Sequence, residues 1–219
     1  MKKVTRLIPA TLAASVIAAS MMTATNASAE VSANVGYASE YYYRGILQKE
    51  SSASAGIDYE EGNVYLGTWA ADVGDGLEID IYGGYGMETE SGLSLGIGFT
   101  SYQYTGDFDS EYNELNLSAG FGPISVDFAK GKWSEDLSID IPGGDYTYTS
   151  ITYSAENGLY GKYAAFGDEA DGNYFEFGYG TEVSGFDIGV TLISNSSELN
   201  GTDGRDEALI FSISKSFSL

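Results

Sequence analysis

Tyr37-Ala38-Ser39-Glu40-Tyr41-Tyr42-Tyr43-Arg44-Gly45-Ile46-Leu47-Gln48 closes one long alternating run of residues with aromatics and then sets an arginine against a glycine. Successive side chains of a strand face opposite sides, so Val31, Ala33, Val35, Tyr37, Tyr41 and Tyr43 share one face, while Asn34, Gly36, Glu40, Tyr42 and Arg44 share the other. One face is apolar and ends in rings; the other carries charge. The arginine then meets a glycine, a residue type that favours a turn.

The same design recurs downstream. Alternation and turn residues define twelve candidate strands at 31–44, 51–60, 63–71, 77–87, 93–104, 111–121, 124–133, 145–155, 159–166, 173–182, 186–194 and 207–217. One parity collects Leu77, Ile79, Ile81 and Tyr85, then Leu93, Leu95, Ile97 and Phe99, then Leu115, Leu117, Ala119 and Phe121. It continues through Ile124, Val126 and Phe128, through Phe175, Phe177 and Tyr179, and through Phe186, Ile188, Val190 and Leu192, to Leu209, Phe211, Ile213 and Phe217. Opposite them sit Glu78, Asp80 and Tyr82, Glu114 and Asn116, Asp127, Glu176 and Asp187. The runs 63–71, 145–155 and 159–166 are less clean, because Lys162 shares a parity with Tyr160 and Phe166.

Tight connections at Glu60-Glu61-Gly62-Asn63, Glu90-Ser91-Gly92, Gly122-Pro123, Glu156-Asn157-Gly158 and Ser184-Gly185 fall between longer polar links such as 134–144, 167–172 and 195–206. Long and short links in alternation are expected of an antiparallel transmembrane β-barrel, with short periplasmic turns and longer external loops. The link 44–51 is then external and Glu61 periplasmic. A soluble exported β-sandwich also shows alternating strands, but it does not require its links to alternate in length.

Residues 1–29 carry the marks of an export leader. Lys2, Lys3 and Arg6 form a positive start, 7–22 is largely small and apolar, and Ala27-Ser28-Ala29 offers a cleavage site. The expected domains are a cleaved leader at 1–29 and a barrel at 30–219. The whole chain has 10 basic and 32 acidic residues. Three of the basic ones and none of the acidic ones lie in 1–29, so the remainder carries 7 minus 32, or −25. Such a chain lacks the basic footprint that nucleic acid requires. Beyond the leader no stretch reaches the roughly 18 apolar residues of a membrane helix, so a membrane-inserted chain must cross with strands.

Cysteine and histidine are both absent. That excludes disulfides, thiolate chemistry, zinc–thiolate sites and histidine-based triads. Paired carboxylates such as Glu78 and Asp80 carry no further catalytic signature, and alternation alone accounts for them; no catalytic residue is assigned. The acidic loop residues Asp72 and Asp75, Asp107 and Asp109, and Asp168, Glu169 and Asp171 lack the ligand spacing of an EF-hand. No metal and no cofactor is expected.

At Tyr41-Tyr42-Tyr43-Arg44-Gly45-Ile46 the chain resembles the TorF-type porin family of proteobacterial outer-membrane proteins, whose members open with an aromatic-rich strand ending in Arg-Gly. The resemblance continues through Asp58-Tyr59, Tyr65-Leu66-Gly67-Thr68-Trp69 and Glu78-Ile79-Asp80-Ile81-Tyr82-Gly83-Gly84-Tyr85, and returns at Ser214-Lys215-Ser216-Phe217. Glu40 stands where that family has aspartate, and two residues follow Phe217 where many outer-membrane barrels stop on an aromatic. The resemblance implies a porin-like barrel in the bacterial outer membrane and names no substrate.

The expected lining of the barrel is Glu40, Arg44, Asp58, Glu78, Asp80, Tyr82, Glu114, Asp127 and Glu176. Four residues at about 3.3 Å each separate Glu40 from Arg44 by about 13 Å, so each needs a partner on another strand. Two readings of them stay open: an internal charge ladder that satisfies buried groups, or a constriction in which Arg44 is an isolated cation among acids. The acidic surplus is likewise either a cation-attracting lining or plain solvation of loops. Tyr41, Tyr43, Trp69, Tyr85, Trp133 and Tyr153 are read as an interfacial girdle, with Tyr42 and Tyr82 turned inward. The expected partners are outer-membrane lipid and small hydrophilic solutes passing through a narrow pore; no motif fixes an oligomeric state. A non-conducting barrel that presents surface loops is the alternative.

Overall fold

The computed structural model describes residues 29–138, 141–200 and 205–219; the expected leader lies almost wholly outside them. Twelve strands run β1 Glu30–Tyr43, β2 Ile46–Glu61, β3 Val64–Gly74, β4 Gly76–Glu88, β5 Leu93–Tyr104, β6 Tyr112–Phe121, β7 Ile124–Trp133, β8 Gly144–Ser154, β9 Leu159–Asp168, β10 Asn173–Val183, β11 Phe186–Asn195 and β12 Glu207–Ser218. Each pairs antiparallel with its sequence neighbours, and β1 pairs with β12 from Ser32↔Ser218 to Ala38↔Ser212, closing the barrel. Closure removes both sheet edges, so every strand is paired on two sides. Among the described residues the helical content is one 3-10 turn, Ser197–Leu199, between β11 and β12.

Alternation explains the two faces. Ile81, Ile97, Phe121, Phe175, Phe177 and Phe211 point outward and are 50–62% exposed. An apolar surface of this extent is one that a water-filled environment does not tolerate. Lys215, also outward, lies 4.7 Å from the centre of the Phe186 ring and 5.5 Å from that of Phe217, near the end of the barrel that carries both termini. A lysine lying along rings keeps its charged head near water.

Three strands that alternation left ambiguous are now assigned. β9 turns Tyr160, Lys162, Ala164 and Phe166 inward and Tyr163 outward, β8 turns Tyr146 and Tyr148 inward, and β3 turns Trp69, Ala71 and Val73 inward. Tyrosine rings lie across strand glycines of their neighbours, Tyr82 over Gly67, Tyr146 over Gly131 and Tyr160 over Gly178. A Cβ at any of the three would collide with the ring.

Two expectations about connections are corrected. The link expected at 44–51 is a two-residue turn, Arg44-Gly45, and β2 begins at Ile46. Arg44 and Gly45 have φ of +48° and +90°, the doubly left-handed backbone of a type I′ hairpin, whose twist matches that of the strands it joins. The β3–β4 connection is shorter still, with Gly74 and Gly76 at φ of +93° and +91° flanking Asp75. Asp72 therefore belongs to a strand and not to a loop. The longer links, 105–111, 134–143, 169–172 and 196–206, do fall together at the end opposite the termini.

Candidate functional site

The interior has two levels. Toward the termini it is lined by small polar residues such as Ser32, Asn34, Ser118, Ser125, Thr152 and Ser214, all partly exposed. Asp58 accepts from Asn34 Nδ2 at 3.2 Å and from the Tyr82 hydroxyl at 2.5 Å, and Asp127 accepts from Ser150 Oγ at 3.0 Å. Small side chains and half-exposed carboxylates leave this level open to water.

Toward the far end the interior is packed. Glu114 of β6 is its hub, 1% exposed. Arg44 Nη1 and Nη2 each donate to it at 2.8 Å, the Tyr102 hydroxyl donates at 2.9 Å and the Tyr146 hydroxyl at 2.7 Å. The fork of a guanidinium matches a carboxylate bidentately, and Arg44 reaches from the β1–β2 turn across the barrel to do so. Its guanidinium carbon sits 4.2 Å from the centre of the Tyr148 ring and 5.1 Å from that of Tyr43. A buried pair of charges offsets its desolvation only when its geometry is good and its other donors and acceptors are met; of the Arg44 nitrogens, Nε has no partner among the described residues.

Glu78, 0% exposed, accepts from the Tyr41 hydroxyl at 2.5 Å and the Tyr104 hydroxyl at 3.2 Å. Asp80 is 7% exposed, and its Oδ1 finds no hydrogen-bond partner among the described residues. Glu176 is opposite Lys162 in the β9–β10 ladder and accepts from Tyr160 at 3.5 Å. Glu40 meets Arg205 at 3.4 Å, and Arg205 also meets Glu50 at 3.1 Å, at the rim. In the β5–β6 link at the same end, burial pushes Asp109 up, against the lowering effect of bonds from the Tyr112 hydroxyl and the Ser110 amide. Tyr43, Tyr102, Tyr112, Tyr146, Phe166 and Tyr148 form a run of ring contacts with centroids 5.3–6.5 Å apart.

Of the nine residues read from the sequence as lining, Arg44, Glu78, Asp80, Glu114 and Glu176 are buried in the packed level, Asp58, Tyr82 and Asp127 are partly exposed, and Glu40 lies at the rim. The girdle reading is corrected for four of its six members. Tyr85 and Tyr153 are outward and exposed, whereas Tyr41 and Trp69 are buried inside, Tyr43 lies against Tyr102, and Trp133 stacks on Tyr146. Tyr41 lies beside a register slip. It pairs with Lys49 while Tyr42 pairs with Leu47, leaving Gln48 as an extra residue on β2. Tyr41 packs with Trp69, Ala71 and Val73, and Tyr42 in a second cluster with Ala129, Tyr148 and Tyr174, so both faces of β1 are covered here and each ring is 4% exposed.

Sequence reasoning missed Lys162, Tyr102, Tyr146, Tyr148 and Tyr174 as interior residues. For the β8 pair a signal was present, because Tyr146 and Tyr148 share the parity of Ser150 against Ile151 and Tyr153. Among the described residues no group of three or more acidic side chains is arranged to hold a metal ion.

The fold is similar to that of solved membrane barrels. The structure of the KdgM porin superimposes with a TM-score of 0.56 at 9% identity, over 86% of this chain and 99% of that one. A chain from work on in-meso crystallisation of membrane proteins gives 0.58 at 9% identity, over 87% and 84%. Pseudomonas aeruginosa OccK2 (OpdF), solved in complex with glucuronate, gives 0.41 at 17% identity, over 78% of this chain and 58% of that one. No curated protein matches the sequence. The resemblance to porins holds at the level of the barrel, and the matching family model, which spans residues 23–217, bears no TorF designation. The chain belongs to that family, described as a bacterial protein of unknown function, Gcw_chp.

Proposed function

We propose that the chain is a bacterial outer-membrane channel for passive diffusion of small hydrophilic solutes, of the TorF type, delivered to the membrane by a leader at 1–29. The observation that carries this reading is the pairing of an apolar exterior with an interior bearing carboxylates on a closed twelve-strand barrel. Twelve strands lie between the side-chain-filled eight-stranded barrels and the wide sixteen-stranded porins. The likeness to the KdgM porin supports the barrel and leaves the solute open.

The channel prefers cations. Glu114 is compensated by Arg44, and Glu78 is held by two hydroxyls. Asp80, with an unpartnered oxygen, is the least compensated of these three acids wherever it is ionised. Under a potassium chloride gradient in a planar bilayer, Asp80→Asn should move the reversal potential toward anions, most in dilute salt where screening is weakest. Glu78→Gln should move it less. An anion preference in the unmodified chain, or no change with Asp80→Asn, would defeat the cation reading.

With both termini in the periplasm, an epitope inserted within 134–144 should bind antibody on intact cells, and one at Glu61-Gly62 should not. Reversed labelling would invert the topology. A second reading, a non-conducting barrel that presents loops, is favoured by the dryness of the packed level, where Glu78 and Glu114 are 0–1% exposed. Conductance separates the two.

A further inference from the structure

We propose that the outer part of the β1–β2 hairpin is a flap, folded into the mouth of the barrel and latched there by the Arg44–Glu114 pair, so that the structure is the closed state of a gated channel. This rests on the channel reading above. The first support is how the hairpin is attached. The ladder of β1 to β12 runs only as far as Ala38↔Ser212, and that of β2 to β3 only from Ser54↔Ala71 to Glu61↔Val64. In the ladder, Ser52 and Ala53 pair with Ala38 and Tyr37 of the wall, and residues 39–51 pair with each other alone. They form a two-stranded ribbon that leaves the wall without breaking any ladder bond to it.

The second support is where the ribbon goes. A type I′ tip normally points to solvent, yet Arg44 is 6% exposed and Gly45 is buried. A Cβ on Gly45 would lie 2.7 Å from Tyr174 Cδ1 and 2.9 Å from Leu199 Cδ1, and its carbonyl accepts from Asn195 Nδ2 at 2.6 Å. Only glycine combines that φ of +90° with such close approach. The tip thereby touches β10, β11 and the 3-10 turn, while Arg44 reaches β6 and lies over Tyr148 of β8. Ala129, Ala164 and Ala208, on the walls beside it, are small enough to leave room for Tyr42, Ile46 and Leu47.

The third support is a hinge and a latch made of separable contacts. The slip at Tyr41/Tyr42, with Gln48 extra, lies within the ribbon, and bulges bend the strand that carries them. Side-chain contacts hold the ribbon down: at the tip the bidentate ion pair, the amide bond to Gly45 and ring contacts, and behind the tip the Tyr41 hydroxyl on Glu78, Lys49 on Asp72, the Phe211 amide on Ser39 Oγ, and Arg205 on Glu40 and Glu50. Losing the ion pair frees the tip to swing outward, where Arg44 regains water.

The test is single-channel recording of the refolded full chain in planar bilayers, with folding of every sample confirmed by a gel shift between unheated and boiled protein. The unmodified chain should open rarely and briefly. Glu114→Gln and Arg44→Glu should each lengthen open time by about ten- to a hundredfold, the range for losing a charge-assisted hydrogen-bonded pair. The exchanged double variant Arg44→Glu with Glu114→Arg should close the channel again. Asn195→Ala, which removes only the tie to Gly45, should lengthen openings several-fold and serves if a charge variant fails to fold. An unmodified chain already open as long as the variants would overturn the flap and leave the channel standing. Silence from the unmodified chain and from the folded variants alike would overturn the channel reading and the flap with it.

Discussion

Ile97→Arg and Val190→Arg are each expected to lower the stability of the barrel by about 2–4 kcal/mol, the depth-dependent cost of an arginine on the lipid face near the midplane. Ile97 is at the middle of β5 and 50% exposed. Val190 is at the middle of β11, opposite Phe211 and Tyr179 on the same outward face. Ser212→Arg faces the open level of the interior and should change stability by only about 0.5 kcal/mol, as for a solvated surface position. Urea unfolding in lipid vesicles, followed by the fluorescence of Trp69 and Trp133, measures all three. Equal costs at Ile97 and Ser212 would show that the outward face does not meet lipid.

The second large effect is an asymmetry across the latch. Removing one member of a buried ion pair strands the other, at up to about 3–5 kcal/mol. Glu114→Leu leaves the Arg44 guanidinium with ring faces only, over Tyr148 and Tyr43. Arg44→Leu leaves Glu114 still accepting from the Tyr102 and Tyr146 hydroxyls. The glutamate substitution is therefore expected to cost more. The same unfolding experiment compares the two, and a larger loss for Arg44→Leu would mean that the hydroxyls do not support Glu114.

The barrel was legible because its cause is local. Period-two alternation with one apolar parity, as at Leu115, Leu117, Ala119 and Phe121, places a strand and its faces without knowledge of its neighbours, and the twelve strands of the structure follow the twelve runs. The packed level was legible only in part. Glu78, Asp80, Glu114 and Glu176 were found by parity, but their burial depends on rings delivered from other strands, and no spacing within one strand encodes that. Tyr41 was misplaced because both faces of β1 are covered at its level, the face of Tyr41 by Trp69, Ala71 and Val73. Trp69 and Trp133 were misplaced because an aromatic near a strand end suits an interfacial belt and a filled interior equally well. The inward course of Arg44-Gly45 was invisible for a related reason: an I′ turn is written in its two residues, whereas the direction of the ribbon is set by where its ladders to β12 and β3 stop.

Conduction by this barrel is open to measurement. Planar-bilayer recording of the refolded chain beside Glu114→Gln tests it most directly. Discrete steps are expected in both, brief in the unmodified chain and long in the variant, with a reversal potential on the potassium side under a potassium chloride gradient. A silent bilayer from both proteins, with the gel shift confirming that each has folded, would contradict it.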